Sequence, residues 1–265
     1  MDERAFVDRQ ILREIKQKQE KIALKGSDVI KLAWRRHIKH SIEKEATLHS
    51  YKIENDAMAS TDYDTHASKR SIRKGVDNIE TAMFWGLKNF DTNLFNEEFI
   101  REITGKIEPE FFSNNGSFYR KSVVRILGAT WTPPYPEKIP IEMAKYIEFI
   151  KGRLQMNDGI SAVLESSIFA HLHLVRIHPF DDGNGRTART LQNIILQSYG
   201  LPPAVIYAGE RHDYYEHLDD AINGWRIRTS IPENKVPDSK EENSFYNYIA
   251  GRVSVSLDRL LKSNF

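Results

Sequence analysis

Residues 159–176, GISAVLESSIFAHLHLVR, limit the fold of this chain more than any other segment. Apolar side chains lie nearly all the way round its helical wheel, so it reads as a helix running through a core rather than along a surface. A helix buried on every side needs neighbours on every side. The chain supplies them as further helical patterns. One spans 2–24, with Phe6, Val7, Ile11, Leu12, Ile15 and Ile22 on its stripe; a second spans about 28–55, with Trp34, Ile38, Ile42, Ala46 and Ile53. Others are expected at about 70–88, 94–106, 140–155 and 185–199, and two or three more from 211 onward. The one β signal is FYRKSVVRI, LGA, TWTPP, which predicts a hairpin over about 117–134, ended by Pro133, Pro134 and Pro136. The expected class is all-α with one β-hairpin. Residues 1–69 form N-terminal helices and 70–265 the core and C-terminal helices, packed as one domain.

Composition narrows the function. The chain has no Cys, which excludes disulfides, thiolate metal sites and a cysteine nucleophile. Lys plus Arg is 38 against 37 Asp plus Glu, a net charge of +1, so no nucleic-acid partner is expected. His171 and His173 are two apart on a helix and point to nearly opposite faces, a poor arrangement for one zinc ion. The apolar stretches are broken before the ~18 residues a membrane span needs. The first ten residues are charged where a signal peptide needs an apolar core, so the expectation is a cytoplasmic protein with no membrane partner.

The chemistry concentrates in HPFDDGNGRTAR, residues 178–189, between the core helix and the next one. Gly183, Asn184 and Gly185 permit a tight or left-handed turn that presents backbone N–H groups at a helix N-terminus, a ready anion site. Arg186 and Arg189, three apart, project from one face of that helix. Two guanidinium forks beside an N–H cradle suit a polyphosphate. Asp182 just before the cradle is placed as a Mg²⁺ ligand beside bound phosphates. His178 at the loop mouth is a general-base candidate.

This segment resembles the signature of the Fic family, H-x-F-x-D/E-G-N-G-R-x-x-R, at His178, Phe180, Asp182, Gly183, Asn184, Gly185, Arg186 and Arg189. The resemblance extends over about 70–230. It implies an enzyme that moves AMP from ATP to a Ser, Thr or Tyr hydroxyl of a protein, itself included among the candidate targets. His178 would take the hydroxyl proton and Asp182 would hold Mg²⁺ across the α- and β-phosphates. Asn184 and the backbone of Gly183 and Gly185 would hold the oxyanions, Arg186 would neutralise phosphate charge, and Arg189 would reach the γ-phosphate. Phe180 would pack inward and anchor the loop. Some relatives carry Lys where this chain has Gly185 and are expected to phosphorylate; Gly185 favours AMP transfer. The hairpin would serve as a flap for the target. Tyr214 and Tyr215 in RHDYYEHL resemble the segment that walls the adenine pocket.

Upstream, SYKIEN fits the S/T-x-x-x-E-G/N pattern of the family's inhibitory helix through Ser50, Glu54 and Asn55. The resemblance implies that Glu54 pairs with Arg189 where the γ-phosphate must go, with Ser50 and Asn55 holding the helix end. Ser41 to Glu45 also gives S-x-x-x-E, but Ala46 breaks the last position. Three other readings stay open: removal of AMP from a protein, with Glu54 positioning water; a non-catalytic nucleotide-sensing regulator, against which the base His178 argues; and a different donor, such as another nucleotide or a choline-bearing diphosphate, which the phosphate loop alone does not exclude. The N-terminal helices could pack within one chain or form a dimer.

Overall fold

A computed structural model describes residues 7–24, 29–55, 66–110, 119–156, 159–231 and 239–262. Among them the chain forms α1 (Arg9–Leu24), α2 (Val29–Asn55), α3 (His66–Asn89), α4 (Glu97–Ile107), α5 (Ile139–Gln155), α6 (Ile160–Ile177), α7 (Asn184–Ser198), α8 (Arg211–Ser230) and α9 (Lys240–Lys262). Helical patterns expected from sequence therefore appear within a few residues of where they were read, except that the first, expected from residue 2, begins at Arg9, with residues 2–6 outside the described residues. Phe6 and the side chain of Trp34 lie outside the described residues. The start of α4 shows why these segments begin where they do. Asn96 caps it by accepting from the Phe99 N–H at 2.9 Å, and Glu97 and Glu98 fill the first turn, a cap that contributes about 1 kcal/mol.

Every side chain of α6 from Ala162 to Ile177 is buried. It has the length and composition of a membrane span, but here it is the core, with α1, α5, α7, α8 and α9 packed against it. Most of its polar residues find partners inside, although the buried Ser166 hydroxyl has none among the described residues. Glu165 accepts from Arg153 Nη2 at 2.7 Å, and Arg176 donates to His173 Nδ1 at 3.0 Å and to Glu142 at 2.7 Å. Each bond offsets a desolvation cost that an unpaired buried group would leave in full.

α2 lies on the outside of this arrangement, against α3, α7 and α9. The second S-x-x-x-E stretch is a tie to α9: Arg259 donates through both terminal nitrogens to Glu45 at 2.7 Å each. Further along, the Tyr51 ring covers Gly75 of α3 so closely that a Cβ there would stand 1.9 Å from a ring carbon. Gly75 is what lets the last turns of α2 settle inward.

Residues 119–135 depart from the expected hairpin. Among the described residues no strand forms; the segment is an extended connection with a turn at Leu127–Gly128. The reason is visible in its bonds. Arg120 donates to the carbonyls of Ser122 (2.8 Å) and Pro134 (2.6 Å), so one guanidinium joins the two arms that a strand ladder would have joined. Thr130 N–H goes to Asp219 of α8 at 2.9 Å. Trp131 and Pro133 turn inward and are buried, and proline offers no donor to a ladder. The β-branched and aromatic composition of this stretch reflects extended backbone, not pairing.

Filling the Gly75 gap tests how α2 is seated. Gly75→Val is expected to destabilise the chain by about 1–3 kcal/mol in a denaturant titration, the usual cost of overpacking. Pairing it with Tyr51→Ala is expected to return part of that loss. An unchanged midpoint for Gly75→Val would show that α2 does not rest there.

Candidate active site

The end of α6 hands the chain to the loop through an unusual residue. His178 caps the helix in the left-handed region, at φ 50° and ψ 58°, and is the one non-glycine with positive φ among the described residues. Glycine normally takes this place because a Cβ costs about 1 kcal/mol or more there. The surroundings hold it. His178 N–H donates to Leu174 O at 2.9 Å, and Pro179 O accepts from Arg120 N–H at 2.9 Å. Arg120 Nε donates to the His178 carbonyl at 2.7 Å. Arg120 is 2% exposed. It therefore fixes both the 119–135 segment and the backbone beneath the imidazole, and nothing in its sequence surroundings announces that role.

The imidazole is partly buried. Burial pushes its pKa down to about 4; the Val175 carbonyl, Glu54 and Asp182 favour the charged form, while Arg120 opposes it. The ring is neutral near pH 7, as a base must be.

Asn184 shapes the loop. Its Oδ1 accepts from Phe180 N–H at 2.9 Å and its Nδ2 donates to Phe180 O at 2.8 Å. Both atoms of the amide are thus engaged with backbone, and Phe180 itself is buried. Gly183, at φ 77°, is the N-cap of α7, and no side chain caps that turn. The first N–H groups of α7 have no helical acceptor of their own and form an anion site.

A carboxylate stands in it. Glu54, from the last turn of α2, accepts from Arg189 Nη2 at 2.8 Å and from Arg186 Nε at 3.1 Å. Its Oε1 lies 2.1 Å from where a Cβ of residue 185 would sit, so only glycine leaves room for it. Burial would raise the Glu54 pKa, but the two arginines outweigh burial and hold it below the ordinary carboxylate value. Ser50 is engaged twice: its Oγ accepts from Arg189 Nε at 3.0 Å and its carbonyl from Nη2 at 2.9 Å. Asn55 ends α2, and its side chain lies outside the described residues.

Behind Arg189 runs a buried chain of polar groups. Arg189 Nη1 donates to the Tyr214 hydroxyl at 3.3 Å; that hydroxyl meets His171 Nε2 at 2.9 Å, and His171 Nδ1 meets Gln192 Oε1 at 2.6 Å. Burial, with help from Arg189, pushes the His171 pKa down to about 3, so it is a neutral spacer. This corrects the expectation for Tyr214. Its ring is 0% exposed and cannot stack on a base; it supports an arginine instead. Tyr215 is 37% exposed, with the Arg211 guanidinium 5.4 Å from its ring centre, and stays available.

Asp182 sits at the solvent edge. Its Oδ1 accepts from Gly183 N–H at 2.6 Å and from Arg186 Nη2 at 3.2 Å. Its Oδ2 makes no hydrogen bond among the described residues. No cluster of three or more acidic, His or Cys side chains that could hold a metal occurs among them. A Mg²⁺ ion here would take one oxygen from Asp182 and the rest from phosphates and water, its usual way of binding beside a nucleotide.

Sequence reasoning missed a second carboxylate. Glu108, just after α4, pairs with Arg186 Nη1 and packs against Gly183. Three acidic groups thus share Arg186: Glu54, Glu108 and Asp182. Burial, despite Arg186 and aided by Asp182 and Glu54, pushes the Glu108 pKa from 4.5 up to about 7. A raised carboxyl contributes stability that is fully present below the unfolded value and is lost as pH rises through the folded one. Glu108→Gln is therefore expected to match the wild type near pH 5 and to exceed it by about 1 kcal/mol at pH 8, after discounting for solvent screening. Thermal melts across that range check this; a Gln variant that is less stable at pH 8 would contradict it.

Comparison with known proteins places this geometry. A model of the Fic/DOC family matches residues 94–196. A protein adenylyltransferase Fic from Nematostella vectensis is 44% identical over 92 residues, covering 35% of this chain and 21% of that protein. Another protein adenylyltransferase Fic, from Drosophila mojavensis, is 30% identical over 195 residues, covering 66% and 36%. The chain thus spans a minor part of the length of these curated relatives. In three dimensions, a Fic domain containing signaling protein from Bacteroides thetaiotaomicron aligns over 96% of this chain and 97% of its own, with a TM-score of 0.72 at 19% identity, a likeness of fold. Residues 94–196 thus match the Fic/DOC family model, and the chain shares its helical fold with a Fic domain containing protein.

Proposed function

We propose that this protein transfers AMP from ATP to a hydroxyl side chain of a protein, and that Glu54 restrains it. The observation that carries the reading is the carboxylate of Glu54 held by Arg186 and Arg189 at the uncapped N-terminus of α7, beside a neutral His178. A site that grips a carboxylate with two guanidinium groups beside a helix N-terminus is chemically a site for phosphate oxygens. The names of the relatives, protein adenylyltransferases, support the same reaction.

In this reading His178 accepts the proton of the target hydroxyl. The oxygen attacks the α-phosphorus, the bond to the β-phosphate oxygen breaks, and pyrophosphate leaves. The N–H groups of Gly185 and Arg186 and the two guanidinium groups carry the phosphate charge, which is most of what such a reaction asks of a protein. Asn184 serves by bracing the loop from Phe180. Mg²⁺, held by Asp182, would neutralise the α- and β-phosphates when bound. The segment 119–135 takes the flap role without a strand. The N–H groups of 121–126 donate to no described residue, so an extended target chain can pair with them.

Restraint follows from competition. ATP cannot place its γ-phosphate at Arg189 while Glu54 and Ser50 occupy that guanidinium. Protein incubated with Mg²⁺ and ATP labelled at the α-phosphate tests this. Glu54→Gly is expected to gain labelling by about tenfold or more, a change of roughly 1.4 kcal/mol. His178→Ala in the same background is expected to lose it by about 10²–10⁴-fold. Silence from Glu54→Gly that still binds ATP would remove the transfer reading. Loss of AMP removal from a labelled protein in that variant would favour the reverse reaction.

A further inference from the structure

Beside the 119–135 segment, away from the phosphate cradle, lies an open groove of about 530 Å³. Its floor is aromatic and proline-rich: Trp131 and Pro133 are buried, and Trp225 of α8 is half-buried. Its rim is cationic. Arg125, Lys138 and Arg226 are all exposed and form no ion pair among the described residues. The remaining charges in the lining cancel each other, because Arg176 donates to Glu142 at 2.7 Å while its guanidinium lies 3.9 Å from the Trp225 ring centre. The whole chain carries a net charge of only +1, so three unpaired cations around one groove are a local concentration and not a sample of the surface.

The groove is tied to the catalytic backbone. Pro134, on its wall, gives its carbonyl to Arg120, and the same guanidinium holds the carbonyl of His178. Arg176, in the floor, is two residues before His178 on α6. A chain seated in the groove is therefore held by the same frame that aims the base. Tyr135 and Val123, each 57% exposed on the rim, add apolar contact.

We infer that this groove is the specificity site for the protein target, and that it takes an acidic segment with an apolar or aromatic anchor lying next to the modified hydroxyl. The inference rests on the AMP-transfer reading for what happens to the hydroxyl, and not for the binding itself. Tyr135, Val123 and the half-buried Trp225 supply apolar area over a buried, rigid floor, and the exposed rim cations select the sign of the partner and speed its arrival. Reversing the rim charges leaves the phosphate cradle untouched, since none of the three residues contacts it.

The test uses a fluorescein-labelled synthetic peptide of Asp and Glu residues around one Phe and one Ser, and a matched peptide with Lys in place of each acid. Anisotropy is read on the full chain without ATP, at low and high salt. The acidic peptide is expected to bind, to weaken as salt rises, and to lose about tenfold or more in affinity to the Arg125→Glu, Lys138→Glu, Arg226→Glu variant. The Lys peptide is expected not to bind. Equal binding of the two peptides overturns the inference. So does acidic-peptide binding that the triple variant leaves unchanged while its circular dichroism and melting temperature match the wild type, and so does absence of acidic-peptide binding, as when the chain's own residues fill the groove. Because no nucleotide is present, a chain that binds the acidic peptide but transfers no AMP overturns the reaction and leaves the groove standing.

Discussion

Two guanidinium groups at the positive end of one helix are an unstable arrangement unless something negative sits between them. In this protein that something is Glu54. The helix N-terminus, Arg186 and Arg189 all raise the local potential, and Gly185 leaves the space in which a carboxylate can approach. The rest of the site is arranged round this charge balance. Ser50 and Tyr214 hold Arg189 from two sides, and Glu108 and Asp182 hold Arg186 from two more. Removing Glu54 leaves the cations supported but undercompensated, a state suited to accept a polyphosphate.

The proposed base depends on a different constraint. His178 occupies a left-handed conformation that glycine would take without strain. The fold stabilises it with Arg120, whose four donated side-chain bonds reach the carbonyls of His178, Ser122, Pro134 and Ile177. One buried cation thus couples the end of the core helix, the proposed base and the segment proposed to receive the target. Strain at the base and order in the flap segment are two consequences of the same side chain.

Much of this was legible in the sequence. The all-round apolar segment 159–176 identified the core helix, because burial on every side needs no partner-specific information. The loop residues were legible because glycines, a histidine and paired arginines at fixed spacing have few structural uses together. Glu54 was reached through a resemblance, and its reach to Arg186 as well as Arg189 was not foreseen, since no sequence pattern encodes the angle at which α2 crosses α7. The hairpin was misread because extended backbone and strand pairing share the same residue preferences, and only the partner distinguishes them. Tyr214 was misread because a tyrosine that stacks and a tyrosine that supports an arginine look alike on a helix. Arg120 and Glu108 carried no local signal at all; their roles come from contacts 58 and 78 residues away in the chain, with His178 and Arg186.

The central claim is that the Glu54 carboxylate occupies the place of the terminal phosphate. Calorimetric titration of the wild type and Glu54→Gly with Mg²⁺ and either ADP or a non-hydrolysable ATP analogue measures it directly. The account predicts that the wild type gains little from the third phosphate, and that Glu54→Gly binds the ATP analogue about tenfold or more tighter than ADP. An equal preference for the two nucleotides in both proteins would contradict it.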